Sequence, residues 1–264
     1  MTTEKKKMQE SENRLQLCLR NSAFVRNTVE LTETDSTNRV AKELARSGAP
    51  EGTLVVAERQ SDGKGRLGRS FFSPEGGIYM SMVLRPRISA ENALLVTTCA
   101  AVAAARGIER VSGCTAGIKW VNDIFIKGRK VCGILAEAGL SAESEYPDYV
   151  VLGIGINVKK QSVPEELKNI VGCLEDMTTG PVLKEELISM VWEEFGGLYE
   201  TLSTAVYMEE YKERSILLNR EVTVLAAEGD YRAVAKDIDK KGHLIVEREG
   251  TEITLSSGEV SVRL

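Results

Sequence analysis

A glycine-rich, cationic segment between two strand-like runs restricts the fold of this chain more than any other feature. It lies in the stretch from Gln60 to Arg85, where three glycines are interleaved with three cations: Gly63, Lys64, Gly65, Arg66, Gly68 and Arg69. Glycine lets backbone N–H groups approach a ligand closely, and arginine binds phosphate or carboxylate through paired hydrogen bonds. Because like charges repel and glycine is costly to order, we expect this loop to be poorly held when empty and to close around an anion.

The same segment contains two partial nucleotide-binding motifs, and neither fits its surroundings. The spacing of Gly63, Gly65 and Gly68 matches the dinucleotide fingerprint, and residues 63–70 differ from a P-loop by having Arg69 in place of lysine. Both motifs must open a helix, yet residues 71–77 read Phe-Phe-Ser-Pro-Glu-Gly-Gly. The sequence therefore argues against a Rossmann or P-loop fold, and a solvated basic turn is the simplest structural alternative.

Composition excludes several other classes of protein. The net charge of -5 argues against a general nucleic-acid binder. The five scattered cysteines indicate reduced thiols, and the single histidine, His243, leaves no support for a catalytic triad or a multi-histidine zinc site. We interpret His243 as a surface or strand residue. No signal peptide or membrane span is recognisable, so we expect a cytoplasmic protein that does not bind membranes.

Hydrophobic periodicity divides the chain into three parts. Residues 1–24 are expected to form a tail with a short helix, residues 25–218 a large domain, and residues 219–264 a small domain of short alternating strands resembling an SH3 barrel. Local signals predict that one helix begins at Asp35 or Ser36 and another at Ser89, and that Gly196-Gly197 breaks a third helix. Apolar residues at every second position predict a strand from Ile78 to Arg85.

A polar constellation stands out within the larger domain. It combines a helix start at Ser36, Thr37 and Asn38 with the cationic loop and with Lys119, which lies between apolar neighbours. Two of these residues also have a purely structural interpretation, because Ser36 suits a helix cap and a mid-strand lysine such as Lys119 is usually exposed to solvent. Without a strong nucleophile or a histidine base, such a site is suited to joining a carboxylate to the α-phosphate of ATP. Both reactants are negatively charged, so the main task is to bring them together and to stabilise the charge during transfer.

In their order and spacing, these residues resemble the biotin–protein ligase family. The resemblance covers about Leu31 to Leu264 and rests on six ordered motifs: Asp35-Ser36-Thr37-Asn38, Gln60 with Gly63 to Arg69, Phe72-Ser73-Pro74, Lys119-Trp120-x-Asn122-Asp123, Lys130 to Glu137, and Gly153 to Val158. Each motif alone is weak, but their combination is specific. Three positions depart from the usual family pattern: Lys64 for arginine, Phe71 for tryptophan and Val121 for proline.

The resemblance implies an α+β fold, a mixed β-sheet with helices packed on one side in the class II synthetase-like arrangement, followed by the SH3-like barrel. It also implies two reaction steps. Biotin and MgATP give biotinyl-5′-AMP and pyrophosphate, and a lysine of a biotin carboxyl carrier domain then attacks the mixed anhydride. Mg²⁺ would arrive with ATP rather than at a protein-built metal site.

Positions carried over from the family assign the site. Biotin would be held by nine residues: Ser36, Thr37, Asn38, Gln60, Lys64, Gly65, Arg66, Lys119 and Gly133. ATP and the adenylate would contact five: Arg66, Arg69, Phe71, Asn122 and Asn157. Lys119 and Arg66 are the expected catalytic groups.

Two other functions remain as alternatives from the sequence. A lipoate or octanoyl ligase resembles this fold and also acylates a carrier lysine, and a non-enzymatic protein would use the loop to bind an anionic partner. Too few residues precede Asp35 for a winged helix, so we expect the monofunctional type of ligase, without operator binding. The family resemblance is compatible with a homodimer, although no interface signature is visible.

Overall fold

A seven-stranded mixed sheet forms the larger part of the molecule. The computed structural model describes residues 14–89, 92–140, 145–178, 180–226, 229–256 and 261–263. The strands of this sheet are β1 Asn27–Thr34, β2 Thr53–Gln60, β3 Ile78–Leu84, β4 Gly117–Lys119, β5 Asp123–Ile126, β6 Arg129–Gly139 and β7 Tyr149–Ile156. They lie in the order β1-β2-β3-β7-β6-β5-β4. Only β1 and β2 pair in parallel, and every other neighbouring pair is antiparallel.

Helices cover both faces of this sheet. They are α1 at residues 14–19, α2 Thr37–Arg46, α3 Leu94–Ser112, α4 Lys184–Tyr199 and α5 Met208–Glu213. The long helices α3 and α4 pack together on one face, where alanines of α3 allow a close approach to the sheet. Helix α2 lies on the opposite face, with Ala41 and Ala45 against Val55 and Val83. The mixed sheet is confirmed, but its helices are not confined to one side.

The position of α2 explains a difference in β3. Every residue of this strand is buried, although the sequence predicts an alternating strand. Met80 and Met82 face the core beneath α3, while Val83 faces α2. A strand covered on both faces does not need polar residues at every second position.

Two predicted helix boundaries are wrong. Helix α4 continues through Gly196 and Gly197 to Tyr199, and Gly196 is needed for space, because a Cβ there would lie 2.9 Å from the Cβ of Phe24. Helix α3 begins at Leu94 with Ala93 at the N-cap position. Ser89 therefore does not cap it.

A second, five-stranded antiparallel sheet follows the helices. Its strands are β8 Glu221–Leu225, β9 Tyr231–Ile238, β10 Leu244–Arg248, β11 Thr251–Leu255 and β12 Ser261–Arg263, in the order β11-β10-β9-β8-β12. The small C-terminal sheet is thus confirmed. His243 lies in the turn just before β10, where its Nδ1 is 2.9 Å from Asp239 Oδ2.

The expected N-terminal tail lies partly outside the described residues, which begin at residue 14. Within the described part, α1 buries Leu15 and Leu19 in the main core. All five cysteines are free thiols. No helix in the described ranges is long and apolar enough to cross a membrane.

Candidate active site

A cavity of about 670 Å³ opens beside α2 and the loop after β2. Its walls contain every site residue that the sequence singles out: Ser36, Thr37, Asn38, Gln60, Lys64, Gly65, Arg66, Arg69, Phe71, Lys119, Asn122, Gly133 and Asn157. These residues come from five separate stretches of the chain, 36–38, 60–71, 119–122, 133 and 157, and the fold brings them together. Their individual roles remain predictions.

One part of the cavity wall, here called the neutral end, is lined by uncharged side chains that are closely hydrogen-bonded: Ser36, Thr37, Asn38 and Gln60. Gln60 Oε1 accepts hydrogen bonds from Thr37 N at 2.8 Å and from Thr37 Oγ1 at 3.1 Å. Ser81 Oγ lies 2.7 Å from Thr37 Oγ1 and 2.6 Å from Asn38 Oδ1. Asn38 Nδ2 donates to Glu137 Oε2 at 2.7 Å. This network fixes the orientation of the polar groups before any ligand arrives.

The start of α2 borders this neutral end. Ser36 occupies the N-cap position, but its side chain makes no capping hydrogen bond. Its N–H instead donates to Asp35 Oδ1 at 2.7 Å. A hydrogen bond from Arg39 is the main reason why the pKa of Asp35 falls to about 2. Asp35 therefore organises the turn, while Ser36 is buried at the cavity wall.

A second part of the wall, here called the cationic end, is formed by the loop after β2, which is held by its own backbone. Gly65 N donates to Arg69 O at 2.7 Å, and Phe71 N donates to Gly63 O at 2.8 Å. The expectation that the loop is poorly held when empty stays a prediction. These cross-loop bonds form a tight hairpin whose tip contains a short 3₁₀ turn, with Leu67 at φ 56°.

Arg66 extends from this loop over the cavity. Its Nη1 donates to Asn122 Oδ1 at 3.2 Å, and Asn122 Nδ2 donates to Ile134 O at 2.9 Å. Burial lowers the pKa of Arg66 from its ordinary value, which means that the cation is partly stripped of water. Such a cation interacts strongly with an anion placed beside it.

Lys119 ends β4 and lines the same cavity. Its side chain is half-buried, with Nζ 5.9 Å from the centroid of the Phe125 ring. Lys130 adds a further cation nearby, and its Nζ forms an ion pair with Asp123 Oδ1 at 2.7 Å. A carboxylate or phosphate in this cavity would therefore meet several positive groups.

Phe71 lies over a glycine floor. Gly133 and Gly155 are paired across β6 and β7, and a Cβ on either would lie 2.8 Å or 2.5 Å from the Phe71 ring. Gly153 makes room for Asn38 in the same way, since a Cβ there would lie 2.1 Å from Asn38 Oδ1. The glycines create a flat surface that larger side chains would close.

Sequence reasoning overlooked Ser81, and it named five other residues of this region only as parts of motifs, without a role in the site: Lys130, Asp123, Glu137, Gly153 and Gly155. The alternating glycines of β7 were a usable signal, because strand glycines often mark a close approach. Ser81 is a hydroxyl in an otherwise apolar strand, which indicates a buried polar partner. Among the described residues, no group of three or more His, Cys, Asp or Glu is placed to hold a metal ion.

Comparisons with known proteins identify the domains. Residues 30–157 match the Biotin/lipoate A/B protein ligase family, and residues 217–263 match the Biotin protein ligase C terminal domain. The chain is 35% identical to the bifunctional ligase/repressor BirA of Bacillus spizizenii, over 90% of this chain and 75% of that protein. It is 29% identical to the biotin–[acetyl-CoA-carboxylase] ligase of Mycobacterium tuberculosis, over 87% of this chain and 86% of that protein.

A solved structure shares the same architecture. The Aquifex aeolicus biotin protein ligase in complex with biotin and ATP superposes with a TM-score of 0.78, at 29% identity, over 90% of this chain and 99% of that chain. The fold and the cavity thus define the class of ligases that activate a carboxylic acid for transfer to a protein. Within that class, the chain belongs to the biotin protein ligase family, and biotin–protein ligation is its activity.

Proposed function

We propose that this biotin–protein ligase forms biotinyl-5′-AMP in the 670 Å³ cavity and then transfers biotin to a lysine of a carrier domain. The observation that carries the proposal is the pairing, in one cavity, of a neutral hydrogen-bonding end with a cationic end. Biotin has a neutral cyclic urea at one end and a carboxylate at the other. The two ends of the cavity therefore match the two ends of the substrate.

The neutral end would hold the urea of biotin. A urea has N–H donors and a carbonyl acceptor, and Ser36, Thr37, Asn38 and Gln60 offer both kinds of partner at the cavity wall. Their hydrogen bonds to one another keep them oriented, so that little ordering is required when biotin binds. Lys64 and Gly65 would cover biotin from the loop.

The cationic end would bring two negative reactants together. In the first step, a carboxylate oxygen of biotin attacks the α-phosphorus of ATP, the bond to the bridging oxygen breaks, and pyrophosphate leaves. Lys119 would stabilise the charge shared between carboxylate and phosphate, and Arg66 and Arg69 would bind phosphate oxygens. A charge-assisted hydrogen bond contributes about 1.5–3 kcal/mol, so loss of either catalytic cation should slow this step strongly.

The nucleotide would lie on the side of Phe71, Asn122 and Asn157. Of the described residues that line the cavity, Asp123 is the only carboxylate, and Lys130 already pairs with it. This donor set does not fit a protein-held magnesium ion, so Mg²⁺ would be carried by the phosphates of ATP. When bound there, it would neutralise phosphate charge.

In the second step, the carrier lysine would attack the acyl carbon of the adenylate and release AMP. The name of the mycobacterial relative indicates an acetyl-CoA carboxylase as its acceptor. We propose that the acceptor here is the biotin carboxyl carrier domain of a biotin-dependent carboxylase. We also propose that the ligase acts in the cytoplasm, does not bind nucleic acid, and forms homodimers. The free cysteines support a reducing compartment.

Pyrophosphate exchange tests the acyl substrate directly. We expect labelled pyrophosphate to enter ATP when biotin is present and not when lipoate is present. A single-turnover assay with a purified carrier domain should then show transfer of biotin to that domain. Exchange that depends on lipoate would instead support a lipoate ligase, and adenylate formation without transfer would contradict the proposed acceptor.

A further inference from the structure

The short strand that ends at Lys119 forms main-chain hydrogen bonds with residues that lie outside the seven-stranded sheet. Ile118 N donates to Arg214 O at 2.7 Å, and Ile118 O accepts from Ile216 N at 2.9 Å. Both partners belong to the linker between α5 and the C-terminal sheet. The strand that ends at Lys119 is therefore tied to the chain that leads into the second sheet.

The C-terminal sheet itself contacts the residue after Lys119. The indole Nε1–H of Trp120 donates to the carbonyl oxygen of Gly242 at 2.9 Å. Trp120 is buried, with 4% of its surface exposed, so this hydrogen bond is shielded from water. Leu225 of β8 also lines the cavity, which places the second sheet at the edge of the site.

The turn that presents the Gly242 carbonyl is itself closely fixed. Asp239 Oδ1 accepts hydrogen bonds from Lys241 N and His243 N, both at 2.8 Å. The backbone closes the turn as well, since Gly242 N donates to Asp239 O at 3.0 Å. Asp239 thus gives the Gly242 carbonyl a defined position rather than leaving it on a loose loop.

We propose that the C-terminal sheet positions Lys119 for adenylate formation through the hydrogen bond between Trp120 and Gly242. In this role Trp120 and Asp239 are positioning residues, and Lys119 is the group that meets the substrate. The inference rests on the role proposed above for Lys119. It gives the C-terminal domain a part in the first reaction step, before any carrier domain has bound.

The first test removes only the indole N–H. Trp120→Phe retains an aromatic ring, and we expect the single-turnover rate of adenylate formation to fall about tenfold or more, because a displacement of about 1 Å costs up to about a hundredfold. The KM for biotin should change less than kcat. Transfer from preformed adenylate should also change less than adenylate formation.

The chain contains a matched control. Its only other tryptophan, Trp192, is fully buried and donates its indole N–H to Met80 Sδ at 3.1 Å. Trp192→Phe removes a comparable buried donor and should lower the melting temperature without slowing adenylate formation. Equal rates in Trp120→Phe and Trp192→Phe would overturn the inference.

A double substitution separates positioning from general damage. If Trp120 acts through Lys119, Lys119→Ala combined with Trp120→Phe should be no slower than Lys119→Ala alone. A combined loss equal to the product of the two single losses would overturn the inference. If Lys119→Ala alone leaves the rate unchanged, the proposed role of Lys119 fails, and the inference fails with it. A slow Lys119→Ala with a normal Trp120→Phe rejects the inference alone.

The third test changes the turn and leaves the cavity intact, so it also applies if Trp120→Phe does not fold. Asp239→Ala removes the acceptor for two backbone N–H groups, and we expect a smaller loss in the same reaction step. Asp239→Asn keeps an acceptor oxygen at Oδ1 and should restore the rate. Wild-type rates in Asp239→Ala would overturn the inference.

Discussion

The two ends of the cavity are built differently. At the neutral end, side chains bond to one another, as Gln60 does to Thr37 and Ser81 to Asn38. At the cationic end, main-chain bonds such as that from Gly65 to Arg69 shape the loop, and the cationic side chains extend from this frame. The polar groups of the neutral end are therefore oriented by one another, whereas the cationic side chains are carried by a main-chain frame.

This difference predicts that substitutions at the two ends will have different effects, one on biotin affinity and the other on reaction rate. On the roles proposed above, substitutions at the neutral end would remove contacts made equally to the substrate and to the transition state, so we expect weaker biotin binding. Substitutions at the cationic end would remove contacts to charge that develops or is retained during the reaction, so we expect slower adenylate formation or faster release of the adenylate. The predictions below test this separation.

The largest effect is expected from Lys119→Ala. Adenylate formation should fall about a hundredfold to a thousandfold, as is typical when one donor to developing charge is removed. Biotin affinity should change much less, and transfer from preformed adenylate should also change less. Rapid quench measurements of both steps will check this. Lys127→Ala, on the exposed β5–β6 turn, is the control, and equal losses in both steps of Lys119→Ala would contradict the assignment.

Arg66→Gly should act mainly on retention of the intermediate. The change removes a half-buried cation and its hydrogen bond to Asn122, so biotinyl-5′-AMP should dissociate about ten to a hundred times faster, as the loss of one charge-assisted contact implies. Stopped-flow displacement of the adenylate measures this rate. Arg59→Gly removes an arginine that pairs with Glu33 on the surface and should leave it unchanged. An unaltered rate in Arg66→Gly would argue against loop closure by this residue.

Gln60→Ala tests the neutral end. Gln60 links Thr37 to Ser73, since its Nε2 donates to Ser73 Oγ at 2.9 Å. Without it, we expect the Kd for biotin to rise about fivefold, while kcat at saturating biotin stays within a factor of about three, because one neutral hydrogen bond contributes about 1 kcal/mol. Titration calorimetry and steady-state kinetics check the two numbers. A reduced kcat with normal biotin affinity would remove the distinction between the two ends.

The sequence predicts which residues line the site better than it predicts how the surrounding helices and strands are packed. The family motifs singled out Gln60, Lys119 and Asn157 as site residues, and all three line one cavity. The expectation that the helices pack on one side of the sheet does not hold for α2, since an apolar helix stripe does not specify which side of a sheet it covers. Sequence reasoning also read Gly196 as a helix break, when that glycine makes room for Phe24. Close contacts between distant residues decide such details, and no local pattern records them.

The smallest effect is expected from Ser81→Ala, which tests how far the neutral network extends below the cavity surface. Ser81 is fully buried and lies within hydrogen-bond distance of both Thr37 and Asn38. Its loss leaves a buried acceptor without one donor, which should lower the free energy of unfolding by about 1–3 kcal/mol. It should also raise the Kd for biotin severalfold, because Asn38 and Thr37 lose a common restraint.

A matched variant distinguishes these two consequences. Ser189→Ala on α4 removes a hydroxyl that donates to Cys18 O at 3.1 Å, away from the cavity, and should lower stability without changing biotin affinity. Denaturant unfolding and biotin titration of both variants provide the measurement. If Ser81→Ala lost stability but bound biotin normally, the hydrogen bonds beneath Thr37 and Asn38 would serve the fold alone. The prebuilt part of the biotin site would then end at the residues that line the cavity.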